Sequence, residues 1–369
     1  MKVLIFIFTM SRGGAARVTS SLCQEMTKNG YQVHLATNIE TNPIFYEVPD
    51  SVVTHQYYAQ KQDSGLLNSL KMNFAYCRLA RQIIKRVSPD VIIAVEPRMF
   101  LYAKLGNIGL GIPIIASEHT TFDIKHDVIK HNVLINFIRH RLYGTANALT
   151  ILTKKDYNLL GRKFPNKTVI YNPLSFPVLD YPTNRKKNIL CAGRLDAWKI
   201  KGFDTILDCW QRIASEYPDW VLEIAGDGTV ESTDFLRTTI NNKGLSDRVV
   251  LLGQVDNMQE KLSQTAIFAL PSRVEGFPMV LMEAMSQGCA CVAYEVSGAV
   301  YEMINNGEDG IIVPDSDVDS FVEGLSRLIE SAELRDKISK NALASVQRFS
   351  PSSFMKSWDD LIKRVVNKK

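Results

Sequence analysis

Two glutamates in the second half of the chain have residue types and a spacing that suit ligand binding. Glu275 and Glu283 lie eight residues apart in SRVEGFPMVLMEAMSQG, with Gly276, Phe277 and Pro278 directly after the first glutamate. Proline suits the first turn of a helix, so Glu275 is predicted in the preceding loop and Glu283 one to two turns inside. Because a carboxylate on an apolar helix is costly unless it is paired or liganded, we expect Glu283 to bind a diol. In the alternative, Glu275 only interacts with the helix dipole and Glu283 lies on a solvated face.

Three cations follow a predicted strand earlier in the same half. Arg194, Lys199 and Lys201 occur in GRLDAWKIKGFD, directly after the apolar run NILCAG and before a predicted helix. Positive side chains are mildly unfavourable at a helix start, whereas a diphosphate would be bound both by these side chains and by the helix N-terminus. The pattern therefore favours an anion site.

Glycine turns end several of the predicted strands. Gly13 and Gly14 follow the first strand and leave backbone N–H groups open to an anion at the start of the next helix, although a plain tight turn is the alternative. Gly226 and Gly228 in GDG and Gly253 in LGQ end two neighbouring strands of the second half. Each of these turns is a weak signal alone, and together they support a site at the strand ends.

His119 and an aspartate pair are further polar candidates. His119 follows the run IPIIASE at the end of a predicted strand, and both a structural role and a role at a ligand site stay open. Asp315 and Asp317 resemble a metal-binding D-x-D motif, but they precede a predicted helix, and an N-cap with first-turn acids explains them. We expect no metal and no other cofactor.

The elements that position these residues are alternating strands and helices. Short β-branched runs alternate with longer amphipathic segments, which is typical of βα units around parallel sheets. Residues 171–187 contain three prolines in a polar stretch and predict a linker. We expect an α/β protein with two Rossmann-like, doubly wound domains, 1–175 and 185–350, that face a central cleft. A final helical segment, 351–369, is expected to cross back to the first domain.

Two familiar phosphate motifs are missing. The first βα turn, TMSRGGAAR, lacks G-x-G-x-x-G, and the second predicted strand ends in ATN with no acidic residue for a ribose diol. A nicotinamide dinucleotide site is therefore excluded, and the chain has no P-loop motif either.

The charge of the chain is divided unequally. The 369 residues carry a formal charge of +4, but residues 1–180 hold 21 Lys and Arg against 12 Asp and Glu, which is +9. The remaining 22 and 27 give −5 for residues 181–369. The basic half is predicted to meet something anionic, while the absence of any nucleic-acid-binding motif argues against nucleic acid.

The sequence also predicts where the protein works. The first ten residues read as a strand rather than a signal peptide, and the six cysteines form no C-x-x-C pair, so a reducing cytoplasm is expected. The basic stretch 124–143 is predicted to be helical, with Lys125, Lys130, Arg139 and Arg141 on its polar face beside apolar residues. It is either a solvated face or an interfacial helix that contacts an anionic membrane from its inner side.

Five of these motifs, in their order and spacing, resemble those of the retaining family 4 glycosyltransferases of the GT-B fold. They are E-G-F-P-x-x-x-x-E, G-R-L before K-G-F-D, A-G-D-G, L-G-Q-V and the early G-G-A, and the match covers nearly the whole chain. The resemblance implies a metal-independent transfer from a nucleotide-sugar bound by the C-terminal domain. Glu283 would then hold the ribose hydroxyls, Glu275 the transferred sugar, Arg194 and the following lysine the diphosphate, and the backbone near Gly253 and Val255 the base.

The resemblance also concerns the first half. It implies that the N-terminal domain binds the acceptor, with Gly13 and Gly14 near the phosphates and His119 near the sugar. The first half and SEHTTF resemble bacterial enzymes that extend lipid-diphosphate-linked glycans for O-antigen, capsule or exopolysaccharide. The donor is expected to be a UDP-sugar, with UDP-N-acetylhexosamine among the candidates.

The chain departs from the family pattern at two places. Ala16 stands where the family usually has Glu after G-G-A, and two extra residues separate G-R-L from K-G, so Lys199 or Lys201 could bind phosphate. Lys201 is favoured because it precedes Gly202 as the family pattern requires. The alternative functions are a non-catalytic sugar- or nucleotide-binding protein, against which the missing signal peptide, Glu275 and the cations argue, and a GT-B-fold epimerase or phosphorylase.

Overall fold

The computed structural model describes residues 1–58, 66–123, 133–180 and 185–367, with residues 66–70 described by their backbone alone. The chain forms two compact units. The first comprises the described residues within 1–122, 130–173 and 351–369, and the second those within 123–129 and 174–350.

The first unit is built on a parallel sheet of seven strands in the order β3-β2-β1-β4-β5-β6-β7. Its central strands are β-branched and buried on both faces, as parallel strands covered by helices must be. The strands are β1 (Lys2–Phe6), β2 (Gln32–Thr37), β3 (Val53–Gln56), β4 (Val91–Val95), β5 (Ile114–Ser117), β6 (Ala148–Ile151) and β7 (Lys167–Val169).

Helices connect these strands, and the last helix of the chain completes the unit. Helix α14 contributes a buried apolar stripe and packs against α1, where Tyr31 Oη donates to Asp359 Oδ1 at 2.6 Å. The helices are α1 (Gly14–Lys28), α2 (Leu66–Val87), α3 (Pro97–Gly106), α4 (Val133–His140), α5 (Lys154–Leu160) and α14 (Pro351–Val366).

The second unit has a parallel sheet of six strands in the order β10-β9-β8-β11-β12-β13. Its strands are β8 (Lys186–Ala192), β9 (Val221–Ala225), β10 (Val249–Gly253), β11 (Thr265–Leu270), β12 (Ala290–Tyr294) and β13 (Ile311–Val313). Its helices are α6 (Trp198–Lys201), α7 (Phe203–Ile213), α8 (Val230–Asn242), α9 (Met258–Ser263), α10 (Met279–Ser286), α11 (Gly298–Met303), α12 (Val318–Glu330) and α13 (Ala332–Ser345).

Each sheet has one point at which the strand order reverses, between β1 and β4 in the first unit and between β8 and β11 in the second. We call these the first and the second switch point. In open α/β sheets, ligands bind outside the carboxyl ends of the strands at such points. The loops after these four strands are therefore the places to look for function.

Several local predictions differ from the structure. The short strands β3 and β7 and the helices α3 and α5 were not predicted. Of the basic stretch 124–143, residues 124–132 lie outside the described residues. The prediction that Arg139 lies on the polar face of this stretch is wrong, because its side chain is 2% exposed.

No helix in the part of the chain that the structure describes combines the length and the apolar composition needed to cross a bilayer. Of the aspartate pair, Asp317 caps α12 as expected, with its Oδ1 accepting the backbone N–H of Ser320 at 3.0 Å.

Candidate functional site

The second switch point brings a lysine and a glutamate together from loops far apart in sequence. Lys201 follows β8 and Glu275 follows β11, and Lys201 Nζ lies 2.8 Å from Glu275 Oε1. The lysine side chain is 25% exposed and the glutamate side chain 10%. Carbons of the lysine side chain would meet a Cβ at Gly193 at 3.0 to 3.4 Å, so the lysine crosses directly over this glycine.

Arg273 fixes the relative position of these two loops, and the sequence analysis missed it. Its guanidinium forms a bidentate pair with the Asp204 carboxylate at 2.7 and 2.9 Å and also donates to the carbonyl of Lys199 and to Thr205 Oγ1. Its backbone N–H donates to the carbonyl of Ile200 at 2.8 Å. The available signal was a cation just after the buried strand β11 and two residues before Glu275.

Glycines allow the loops to touch through their backbones. Gly202 has a φ of 69°, and a Cβ there would lie 1.9 Å from the carbonyl oxygen of Pro271. A Cβ at Gly226 would lie 1.8 Å from the carbonyl oxygen of Gly193, and Gly228 is similarly crowded. Any larger residue would push these loops apart, since real Cβ atoms do not approach so closely.

The three predicted cations differ in their surroundings. Arg194 is 67% exposed, and its Nε lies 3.4 Å from Asp196 Oδ1. Lys199 is exposed on the short helix α6, whereas Lys201 is half-buried against Glu275. The extra residues that separate G-R-L from K-G are accommodated in α6, whose Trp198 stacks on Phe235 with the ring centroids 4.3 Å apart.

Glu283 lies inside α10 and is 4% exposed. The residues around it in this helix are buried as well, so the carboxylate is removed from bulk water, as the apolar helix predicted. Pro278 is the residue before α10, which places Gly276 and Phe277 in the loop with Glu275. Phe277 anchors this loop: it is 6% exposed and packs edge-on against Phe349 at 5.7 Å.

Gly253 and Val255 lie at the carboxyl end of β10, next to the loop after β9. The carbonyl of Gly253 accepts the backbone N–H of Gly226 at 2.8 Å, and Val255 is half-buried two residues further on. Gly253 has a φ of 64°, so the chain turns away from the sheet at this residue. The four strand ends from β10 to β11 thus carry all the predicted residues of the second half apart from Glu283, which lies on the following helix.

The predicted residues of the first half belong to the first unit. Gly13 precedes α1, Gly14 begins it, and the backbone N–H of Gly13 donates to Tyr46 Oη at 3.3 Å. The first turn of α1 contains no acidic residue, and Arg17 lies with its guanidinium carbon 4.9 Å from the centre of the Tyr46 ring. The loop therefore combines a helix N-terminus with cationic surroundings, which suits an anion.

His119 lies at the end of β5 in its neutral form. Its Nε2 is 3.1 Å from Ser117 Oγ, and its Nδ1 is buried with no hydrogen-bond partner among the described residues. Burial lowers the pKa of His119 to about 4, against the opposing charge of Glu118. The imidazole is thus uncharged at neutral pH and can exchange one hydrogen bond with a ligand.

A buried ion pair holds the segment that carries His119. Glu118 Oε2 lies 3.1 Å from Arg139 Nε and 3.0 Å from Tyr143 Oη, and both partners of the ion pair are almost fully buried. Arg139 also donates to the carbonyl of Thr121 at 2.6 Å. The sequence predicted neither contact, because Arg139 lies in α4, 21 positions along the chain from Glu118, and only the fold brings the two side chains together.

Comparison with known proteins finds glycosyltransferases along nearly the whole chain. A family model described as Glycosyltransferase Family 4 matches residues 12–175, and one described as Glycosyl transferases group 1 matches residues 186–331. An uncharacterized glycosyltransferase of Haemophilus influenzae is 27% identical over 98% of this chain and 99% of its own length.

Two further similarities concern function and fold. An N-acetylgalactosamine-N,N'-diacetylbacillosaminyl-diphospho-undecaprenol 4-alpha-N-acetylgalactosaminyltransferase of Campylobacter jejuni is 26% identical over 94% of this chain and 95% of its own. The solved structure of sucrose-phosphate synthase from Thermosynechococcus elongatus has a TM-score of 0.85 at 16% identity and covers all of both chains.

The two sheets with their helices and these matches define a glycosyltransferase of the two-domain GT-B fold. The chain belongs to glycosyltransferase family 4, which confirms the family and the fold class that the motifs predicted.

Proposed function

We propose that this glycosyltransferase transfers a sugar, with retention of its anomeric configuration and without a metal ion, from a nucleotide-sugar to a glycan carried on a lipid diphosphate. The product would belong to O-antigen, capsule or exopolysaccharide synthesis. The observation that carries the proposal is the contact of Lys201 with Glu275 beside the exposed Arg194, at the second switch point.

Arg194 and Lys201 are assigned to the leaving diphosphate. The ammonium of Lys201 has three N–H donors and uses one on Glu275, which leaves donors for phosphate oxygens. Arg194 can add a bidentate contact, because its guanidinium is exposed. These positive groups would stabilise the negative charge that grows on the diphosphate as the bond to the sugar breaks. In other enzymes a divalent cation stabilises this negative charge.

Glu275, Glu283 and the glycine turns are assigned to the rest of the donor. Glu275 would accept hydrogen bonds from the transferred sugar while Lys201 fixes its carboxylate. Glu283, whose carboxylate lies inside α10 at 4% exposure, would bind the two ribose hydroxyls. The backbone near Gly253 and Val255 would meet the base, for which uracil is our choice.

Retention is assigned to a transfer on one face of the sugar. The bond from the anomeric carbon to the diphosphate oxygen breaks, and the acceptor hydroxyl oxygen forms its bond to the same carbon from the same side. The proton of that hydroxyl passes to the departing phosphate oxygen. Family resemblance supports this course, and it requires no covalent nucleophile of the protein.

The acceptor is assigned to the first unit. The Campylobacter relative is named for an N-acetylgalactosaminyl transfer to a diphospho-undecaprenol glycan, which supports an N-acetylhexosamine donor and a lipid diphosphate acceptor. The first 180 residues carry a formal +9, which suits a substrate with a diphosphate at an anionic membrane. The first unit would also contribute to the donor site: Gly13 and Gly14 would lie near the phosphates of the donor, and His119 near the sugar.

Contact with the membrane is assigned chiefly to α2 rather than to residues 124–143. Helix α2 has no Asp or Glu in 22 residues, and Phe74 in its middle is 73% exposed. Three exposed cations, Lys71, Arg78 and Lys85, lie on the same side of the helix as this ring. An apolar side chain among cations is the pattern of an interfacial helix on anionic lipid.

The test is a panel of UDP-, GDP- and ADP-sugars incubated with the purified protein. We expect slow release of UDP from one UDP-sugar, and faster release when a synthetic undecaprenyl diphosphate glycan is added. NMR of the product should show the anomeric configuration of the donor. If no nucleoside diphosphate is released from any donor, the protein is a binding protein and the proposal is wrong; an inverted product would contradict retention alone.

A further inference from the structure

Glu96 occupies a backbone conformation that is almost reserved for glycine. It follows β4 at the first switch point, with a φ of 73° and a ψ of 158°. This region of backbone space costs a non-glycine residue on the order of 1–3 kcal/mol, and such residues are concentrated at functional sites. The glutamate at position 96 therefore lowers the stability of the fold, which points to a function of its side chain.

The surrounding backbone holds Glu96 in this conformation. Its N–H donates to the carbonyl of Ser117 at 2.9 Å, and its carbonyl accepts the N–H of Phe100 at 3.2 Å. Pro97 begins α3 directly after it and restricts the residue before it. Glycine would satisfy the same two hydrogen bonds without strain, so the turn itself does not require a glutamate.

The carboxylate of Glu96 makes no hydrogen bond or ion pair with any residue that the structure describes. The residue is exposed to solvent. Loss of hydration and the nearby charge of Glu118 raise the pKa of Glu96 to about 7, while Arg98 opposes the shift. An exposed acceptor group with no hydrogen-bond partner among the described residues is available to the hydroxyls of a ligand.

The neighbouring strand places a second polar group beside it. Val95 is in register with Ser117 across β4 and β5, so Glu96 and His119 follow adjacent strand ends. His119 is a neutral imidazole with an unused nitrogen. Two such groups at one sheet edge suit a polyhydroxy ligand.

We propose that Glu96 is an acceptor-binding residue whose carboxylate accepts hydrogen bonds from sugar hydroxyls of the acceptor glycan. This assignment rests on the proposed function, in which the acceptor lies on the first unit and the residues assigned to the donor's sugar, ribose and base lie on the second. Glu96 thereby deepens that function by naming a residue that selects the acceptor sugar.

The test compares Glu96→Gln, Glu96→Ala and Glu96→Gly with Asp90→Asn, a carboxylate just before β4 at the opposite edge of the same strand. Each protein is assayed with the UDP-sugar found for the wild type, with and without the synthetic undecaprenyl diphosphate glycan. Loss of a hydrogen bond to a charged group predicts a ~10- to 100-fold rise in the KM for the acceptor in all three Glu96 variants. Release of UDP without acceptor should stay within about two-fold of the wild-type rate, because no donor contact is removed.

Stability supplies a second readout, which reports the backbone strain at Glu96 separately from acceptor binding. Glu96→Gly should melt a few degrees above Glu96→Ala, about 2–4 °C, because it alone relieves the strain while both lack the carboxylate. An unchanged acceptor KM in Glu96→Gln and Glu96→Gly would overturn the assignment. A wild-type protein that neither releases UDP nor transfers sugar would instead refute the proposed function, and this assignment with it.

Discussion

The two switch points hold a carboxylate at the same topological place but treat it differently. Glu275 follows β11 and is paired with Lys201, in a loop that Arg273 ties to α7. Glu96 follows β4, the equivalent strand of the first unit, without a partner among the described residues and on a strained backbone. A paired carboxylate keeps a fixed position for one ligand, whereas an unpaired one depends on the ligand for its hydrogen bonds. The comparison teaches that the carboxylate of the second switch point is already held by a cation, whereas that of the first has no such partner among the described residues.

Removal of Arg139 should have the largest effect and would test how rigid the first site is. Arg139→Met leaves Glu118 buried and charged without its cation, which predicts a loss of about 3–5 kcal/mol in the free energy of unfolding of the first unit. The urea midpoint measures this loss. Arg139→Met combined with Glu118→Gln should recover part of it, and a single variant as stable as the wild type would show that the pair does not hold this segment.

Removal of the diphosphate cations tests the second site. Arg194→Ala and Lys201→Ala should each lower the rate of sugar transfer by ~10²–10³, because each removes a group fixed opposite developing charge. Lys199→Ala is the matched control: it removes an exposed cation from the same short helix α6 and should leave the rate nearly unchanged. Near-normal turnover in both Arg194→Ala and Lys201→Ala would contradict the assignment. If only Lys199→Ala among the two lysine variants lowers the transfer rate, the diphosphate contact belongs to Lys199 instead of Lys201.

Vesicle binding tests whether the basic charge of the first half acts at a membrane through helix α2. Replacing Lys71, Arg78 and Lys85 by Gln should lower binding to vesicles with anionic lipid by on the order of 100-fold, at about five-fold per cation. Flotation of the full chain measures this, with vesicles of neutral lipid as the reference.

The control for this experiment removes three exposed cations elsewhere, Arg237, Lys337 and Lys340, and should float like the wild type. A third variant replaces Lys125, Lys130 and Arg141 in the stretch 124–143. If the α2 variant floats like the wild type, α2 does not form the membrane-binding surface, whatever the result for the third variant.

The pH dependence of stability is the smallest expected effect and concerns Glu96 alone. Its pKa is about 7 in the folded protein and near 4.5 in an unfolded chain, so the folded state binds more protons between these values. Stability contributed by the protonated form is therefore lost as the pH rises from about 4.5 through about 7. Glu96→Gln cannot ionise, so its stability relative to the wild type should rise between pH 5 and pH 8, measured by urea midpoints. A constant difference would mean that Glu96 has an ordinary pKa.

The sequence pointed to more candidate residues at the second switch point than at the first, for physical reasons. Strand ends, glycine turns and cations before a helix are local patterns, and they pointed to Arg194, Lys201 and Glu275 before any contact was known. The pairing of Lys201 with Glu275 joins residues 74 positions apart, so no local pattern could show it. Arg273 was missed because its function is to connect two loops that only the fold brings together.

The errors in the first half have a similar origin. Arg139 lies among basic residues in sequence, but its buried partner Glu118 comes from another element, so periodicity alone suggested a polar face. The strands β3 and β7 are short and half-exposed, which weakens their alternation of apolar residues. Glu96 escaped notice because its distinguishing property is a backbone angle, which residue type does not encode.

The position of α14 has a consequence for biosynthesis. This helix buries Phe354, Trp358 and Ile362 within the first unit, yet the ribosome makes it only after all of the second unit has been made. The face of α1 that packs on α14 must therefore wait, exposed or transiently covered, while about 320 further residues are translated. At ~5–20 residues per second this delay lasts on the order of fifteen to sixty-five seconds. The first unit is thus begun first and completed last, and a chaperone that shields α1 during this interval would act on the one surface that the nascent chain cannot yet cover.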